Sequence, residues 1–265
     1  SLFEVDDMIN VQKYEEDFIH IIQIEELNEK WKGFIKEDFS SICLNWDKEE
    51  IESVLKRFWQ SYEKKDDNTK KGMIAEFFAH LYLRNELKFE QKSLFSNLEE
   101  NSIKKGFDGV YQDTENKIWI MESKSGNLKK ISLGSEHVNN LNDGYIGISK
   151  KISGKDVNNN NPWLNALHHS KIIDGSEELQ KILKKRSKEL IHGDGMNISE
   201  INIIPTSTVY FENELENEDL NMIEKIKNKK EKMKCMNLII VCVNKRKKEI
   251  LVEYLRELSG DNSDE

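Results

Sequence analysis

Glu122 and Lys124 stand two residues apart at the end of the apolar run Ile118 to Met121, and Asp108 lies upstream in GFDGV. On a strand, side chains alternate, so Glu122 and Lys124 would share one face while Met121 and Ser123 share the other. A strand reading IWIM has no reason to lie at the surface, so both charges at its end would be partly dehydrated. Between GFDGVYQ and KIWIMESKS, the turn-compatible Asp113, Thr114, Glu115 and Asn116 predict a hairpin. A loop of about five residues then sets Asp108 opposite or diagonal to Glu122. The glycines on either side of Asp108 would let the backbone turn tightly and a large ligand approach closely. Glu76 is the fourth member of the set, because it lies on a largely apolar helical stretch where an ionised carboxylate needs a partner. Three carboxylates suit a hard cation, magnesium or alternatively manganese, and a neighbouring lysine suits polarisation of an attacking water. The competing reading is structural, with Glu122 and Lys124 as a buried ion pair and Glu76 bridged to a lysine or arginine without metal.

These residues need a scaffold. KGMIAEFFAHLYLRNEL carries Met73, Ile74, Phe77, Phe78, Leu81, Tyr82 and Leu83 around much of a helix, which predicts a central element buried on more than one side. His80, one turn after Glu76, reads as a packing residue. Upstream, Phe18 to Ile24 fits a short buried strand. Ile51, Val54, Leu55, Phe58 and Trp59 mark an amphipathic helix from Asp47 to Tyr62 with Asp47 as N-cap, followed by a polar loop, Glu63 to Lys71. Downstream, Tyr145 to Ile148 reads as a short strand and GKDVNNNN, from Gly154 to Asn161, as a mobile loop. Pro162 opens the helical PWLNALHHSKI, in which Trp163 reads as a core anchor and His168 and His169 as surface. Next come a charged helix from Ser176 to Ile191, an apolar run from Ile201 to Phe211, a basic helix from about Leu220 to Lys234, the strand-like MNLIIVCV and a last helix from Lys247 to Leu258. The run around Ile239 is apolar on both faces, as a strand covered by helices on both sides should be. The division this suggests is an N-terminal α/β segment, 1–65, packed on a core of 66–258, with a disordered tail, 259–265.

The order of helix Glu76, GFDGV and ESK at a strand end resembles the PD-(D/E)xK nuclease superfamily over roughly Lys70 to Ser149. More narrowly, KGMIAEFFAHLYLR, GFDGVYQ, WIMESKSG and NPWLNALHHSKI resemble the HamA family, the nuclease subunits of bacterial Hachiman anti-phage defence systems. The resemblance implies a restriction-endonuclease-like α/β fold, a central mixed sheet flanked by helices. It implies metal held by Asp108 and Glu122, often joined by Glu76, and Lys124 acting on the hydrolytic water. Phe107 stands where the superfamily name places proline. A helicase subunit is the implied partner and DNA the implied substrate. The alternatives are a catalytically silent module that binds DNA or tethers the helicase, and a sequence-specific restriction endonuclease subunit.

With 265 residues, 34% charged and 37% hydrophobic, the chain has enough apolar material for a core beneath a heavily ionised surface. No apolar run approaches the roughly 20 residues that span a bilayer, and SLFEVDDMIN lacks the features of a signal peptide, so no membrane association and a cytoplasmic location are expected. Cys43, Cys235 and Cys242 form no CxxC pair and read as buried free thiols. A net charge of −9 argues against a protein that coats nucleic acid non-specifically, but a carboxylate-rich metal site is compatible with it. Lys181 to Lys188, Lys225 to Lys234 and Lys245 to Lys248 are the stretches in which phosphate contacts would be sought.

Overall fold

A computed structural model describes residues 9–95, 106–128, 131–155, 161–173, 175–211, 221–245 and 249–260. In chain order the elements are β1 (Ile9–Tyr14), β2 (Ile19–Ile24), α1 (Glu29–Leu44), α2 (Ile51–Tyr62), α3 (Asp67–Asn85), β3 (Glu90–Gln91), β4 (Gly109–Gln112), β5 (Ile118–Asn127), α4 (Leu133–Ile152), α5 (Pro162–Ile172), α6 (Glu177–Ile191), β6 (Asn202–Tyr210), α7 (Met222–Lys230), β7 (Asn237–Leu238), β8 (Ile240–Lys245) and α8 (Glu249–Leu258). The strands form one mixed sheet in the order β1-β2-β8-β6-β5-β4-β3, with β7 pairing β6. Strands β2, β8, β6 and β5 run parallel, and antiparallel pairs close both ends. This is the expected mixed sheet flanked by helices.

Two apolar layers sandwich the sheet, because its central strands are apolar on both faces. Val241 and Val243 of β8, Ile204 of β6 and Met121 of β5 pack with Phe39, Phe58, Phe77 and Leu251 from α1, α2, α3 and α8. Ile240, Cys242, Ile203 and Ile120 pack on the other side with Leu141, Trp163, Leu183 and Ile226 from α4, α5, α6 and α7. All three cysteines are free, with Cys43 and Cys242 buried and Cys235 half-buried.

Several local expectations shift. Helix α3 starts inside the predicted polar loop, at Asp67, because the Asp66 side chain accepts from the Thr69 backbone N–H at 3.0 Å and caps it. Asp47 precedes a short 3₁₀ turn, Lys48–Glu50, and makes no side-chain cap bond; α2 follows directly. The larger correction concerns Tyr145 to Ile148, which is helix and not strand. Leu133, His137, Leu141, Gly144, Ile148 and Ile152 recur at spacings of three and four and form the buried stripe of α4. Of the predicted loop at Gly154 to Asn161, residues 156–160 lie outside the described residues, while Asn161 caps α5 by accepting from Leu164 N–H at 3.1 Å. In the predicted tail, residues 261–265 likewise lie outside them, and Ser259 Oγ accepts from Trp59 Nε1 at 2.8 Å.

A polar chain crosses the α4 face of the sheet. His137 is fully buried, with Nδ1 2.8 Å from Ser207 Oγ and Nε2 2.7 Å from Asn244 Oδ1. Asn244 Oδ1 only accepts, so Nε2 carries the proton; Ser207 then donates to Nδ1 and accepts from Asn140 Nδ2 at 3.1 Å. Burial lowers His137 to about 4, which keeps the ring neutral as this pattern requires. His137→Ala is expected to cost about 3 kcal/mol in a urea titration, since Ser207 and Asn244 would lose their partner beside a new cavity. A loss under about 0.5 kcal/mol would show that water replaces the ring.

Candidate active site

The β4–β5 hairpin places the first two residues of the set. Its turn is built by Asp113, whose Oδ1 accepts from the backbone N–H groups of Glu115 and Lys117 at 2.9 Å each. Gly109 pairs with Met121, so Asp108 falls opposite Glu122, and its Oδ2 accepts from the backbone N–H of Ser123 at 2.9 Å. Phe107 pins this corner by packing edge-on against the buried Trp163, with ring centroids 4.9 Å apart. Trp163 is therefore the core anchor that was expected.

The flanking glycines serve packing, and neither adopts a left-handed conformation. A Cβ on Gly109 would lie 2.7 Å from the Tyr111 ring and 2.9 Å from Met121 Cε, and one on Gly106 would lie 3.1 Å from Asn165 Cβ. Gly109→Ala is accordingly expected to destabilise the protein by about 1–3 kcal/mol, as overpacking does. A thermal melt unchanged from wild type would mean that Tyr111 and Met121 move aside freely.

Glu122 is 3% exposed and carries an ion pair on each side. Lys124 Nζ donates to Oε1 at 2.9 Å, and Lys151 Nζ donates to Oε1 at 2.9 Å and to Oε2 at 2.7 Å. Burial pushes the Glu122 carboxyl up, but the two ammonium groups outweigh it and leave the group below its ordinary range. Asp108 has no such compensation. Desolvation, then the charges of Glu122 and Glu76, push its carboxyl up to about 7, against the opposing pull of Lys151 and Lys124. For Lys124, burial acts downward, but Glu122 and Asp108 prevail and raise it.

Glu76 comes from α3, on the opposite side of the sheet from Glu122, and is 6% exposed. Its charge acts on Asp108 and Lys124, so it belongs to the same electrostatic neighbourhood. His80 lies between these groups, with Nδ1 hydrogen-bonded to Tyr111 Oη and Nε2 3.9 Å from Glu76 Oε1. Burial holds His80 neutral, down to about 3.

The structure therefore gathers Asp108, Glu122 and Lys124 at one corner, with Glu76 close by. It adds Lys151, which the sequence reading missed. The signal was present in the α4 stripe, because Lys151 falls one helical turn after Gly147, and a Cβ on Gly147 would meet Glu122 Oε1 at 3.4 Å. Reading the segment as a strand hid that face. His168 and His169 stay peripheral: His168 is exposed, and His169 Nδ1 accepts from the Leu94 N–H at 3.2 Å.

Among the described residues no three His, Cys, Asp or Glu side chains are gathered as a ligand set. The donor chemistry nonetheless fits a hard divalent cation. Asp108 and Glu122 are oxygen donors of like charge held opposite each other, and a cation would relieve the repulsion that raises Asp108.

A family model, HamA, matches residues 4–258. The chain belongs to the HamA family. That makes it a Hachiman defence protein, and the match takes in every element from β1 to α8. No curated protein and no solved structure was found to match this HamA chain. No helix among its described residues is long and apolar enough to cross a membrane.

Proposed function

We propose that this HamA chain is a metal-dependent deoxyribonuclease that hydrolyses DNA phosphodiester bonds at the Asp108, Glu122 and Lys124 corner. The observation that carries the reading is Asp108 held opposite Glu122, two carboxylates of like charge, beside a lysine on the same strand face. Such clustering of like charges is costly to stability and is found where a site is tuned for chemistry. Asp108 and Glu122, with Glu76, would hold magnesium or manganese. When bound, the ion supplies a Lewis acid for the phosphoryl oxygen and a more acidic water. Asp108 is fixed for that task by the Ser123 N–H. Lys124, partly exposed and kept charged by its neighbours, faces the approaching phosphate and stabilises negative charge as it develops.

The acidic balance supports a helicase partner that supplies the grip on DNA. Much of the basic α7 helix is engaged within the chain, with Lys230 bound to Glu15 at 2.7 Å, Lys229 to Asn142 and Lys225 to Ser132. Net charge is −9, so the chain alone is expected to bind DNA weakly and with a shallow salt dependence. A silent tethering module is the second reading, favoured by the bidentate Lys151 bond to Glu122, which resembles a structural ion-pair network. Incubating linear, circular and single-stranded DNA with the chain, with and without its helicase and with and without magnesium, separates them. Magnesium-dependent degradation is expected. Intact DNA under every condition would leave the tethering module, and discrete fragments would indicate sequence recognition.

A further inference from the structure

Glu122 is the most heavily compensated carboxylate of the site, and the second cation on it comes from a different element. Helix α4 lies across β5 with glycines at the crossing. A Cβ on Gly144 would lie 3.6 Å from the Glu122 carbonyl oxygen and one on Gly147 3.4 Å from Oε1. Helical side chains lean toward the N-terminus of their helix, so Lys151 reaches back over the turn of Gly147 and lands on the carboxylate. Its ammonium holds both oxygens, at 2.9 and 2.7 Å, whereas Lys124 holds only Oε1. A carboxylate held this way has few lone pairs to offer to anything else.

We propose that Lys151 is a placeholder for the divalent cation: its ammonium occupies the Glu122 oxygens that the metal takes, and metal binding displaces it. The proposal rests on the reading of Asp108 and Glu122 as metal ligands and adds a regulatory consequence. Lys151 sets the metal concentration at which the site becomes competent, and in the metal-free protein it shares with Lys124 the compensation of the buried Glu122. It is a positioning residue, acting through Glu122. A purely structural ion pair would tie α4 to the sheet equally with and without metal, and so would leave Lys151 as shielded when metal binds as before.

Titration calorimetry of the full chain with manganese and magnesium tests the competition, and the reactivity of Lys151 with and without metal separates a displaced lysine from a fixed one. Lys151→Met is expected to bind metal about tenfold more tightly than wild type, since a competing unit charge has gone, while melting lower without metal. Lys151→Arg, which keeps the charge, should behave like wild type. In the unaltered protein, acylation of Lys151 by an amine-reactive reagent, followed by mass spectrometry, should rise severalfold on adding metal, with exposed Lys181 as the constant reference. Equal or weaker metal binding by a folded Lys151→Met chain overturns the proposal alone, as does acylation of wild-type Lys151 that metal leaves unchanged. No metal binding by either protein overturns it together with the metal-site reading.

Discussion

Lys124→Ala is expected to lower magnesium-dependent DNA cleavage by roughly 10²–10⁴-fold, the usual loss when a group that stabilises transition-state charge is removed, while the protein stays folded. The structure makes the second half of this result specific. A buried Glu122 that lost its only cation would be stranded, at a cost of about 3–5 kcal/mol. Glu122 has two cations, and Lys151 keeps both of its bonds when Lys124 is removed. The Lys124 side chain is itself 35% exposed, so the loss of stability should stay near 1 kcal/mol or less. Metal affinity should hold or improve with one positive charge fewer. A well-folded Lys124→Ala chain that cuts DNA at the wild-type rate would remove the lysine from the chemistry.

Asp108→Asn should abolish cleavage and yet make the metal-free protein more stable above neutral pH. Asparagine keeps an oxygen for the Ser123 N–H but removes the charge that Glu122 and Glu76 oppose. The sign follows from linkage. The folded carboxyl titrates at about 7 against roughly 3.9 in the unfolded chain, so between those values the folded state binds more protons and wild-type stability falls as pH rises. The asparagine variant lacks that term. Its advantage should be small near pH 4, grow through pH 7 and level off above it at on the order of 2–4 kcal/mol. Denaturant titrations of both proteins at pH 5 and pH 8 measure the difference, and contributions from the buried histidines cancel to first order. An advantage that is the same at both pH values would show that Asp108 does not carry the repulsion described. With metal present, the order should reverse, because only the wild type retains the full ligand set.

Most of the hairpin was legible in the sequence, because alternation along IWIMESK and the turn residues at 113–116 leave Asp108 opposite or diagonal to Glu122, and the structure takes the first of these. Burial of the central helix was legible from apolar residues on every side. The start of that helix was not, since Asp66 caps it from within a stretch whose composition suggests a loop. Lys151 escaped for a related reason: α4 meets the sheet through Gly144 and Gly147 and through the polar His137, so its inner face lacks the continuous apolar stripe by which helices are recognised. Sheet order is also beyond local pattern. Nothing in the residues of β2 says that it pairs in parallel with β8, because that choice depends on how helices fill both faces.

That last pairing separates two kinds of contact in the molecule. Asp108, Glu122 and Lys151 belong to neighbouring elements of one stretch of chain, so the loops that bring them together are short. The seam of β2 on β8 joins Ile19 to Ile240, nearly the whole chain apart. Closing a loop that long costs about 2 kcal/mol more entropy than closing the hairpin, before any contact compensates. Contacts of low sequence separation form first, so the charged corner should take shape while the N-terminal hairpin is still undocked. The seam would then form late in folding and open early in unfolding. Pulse-labelled hydrogen exchange should show the amides that bond β4 to β5 protected ahead of those that bond β2 to β8.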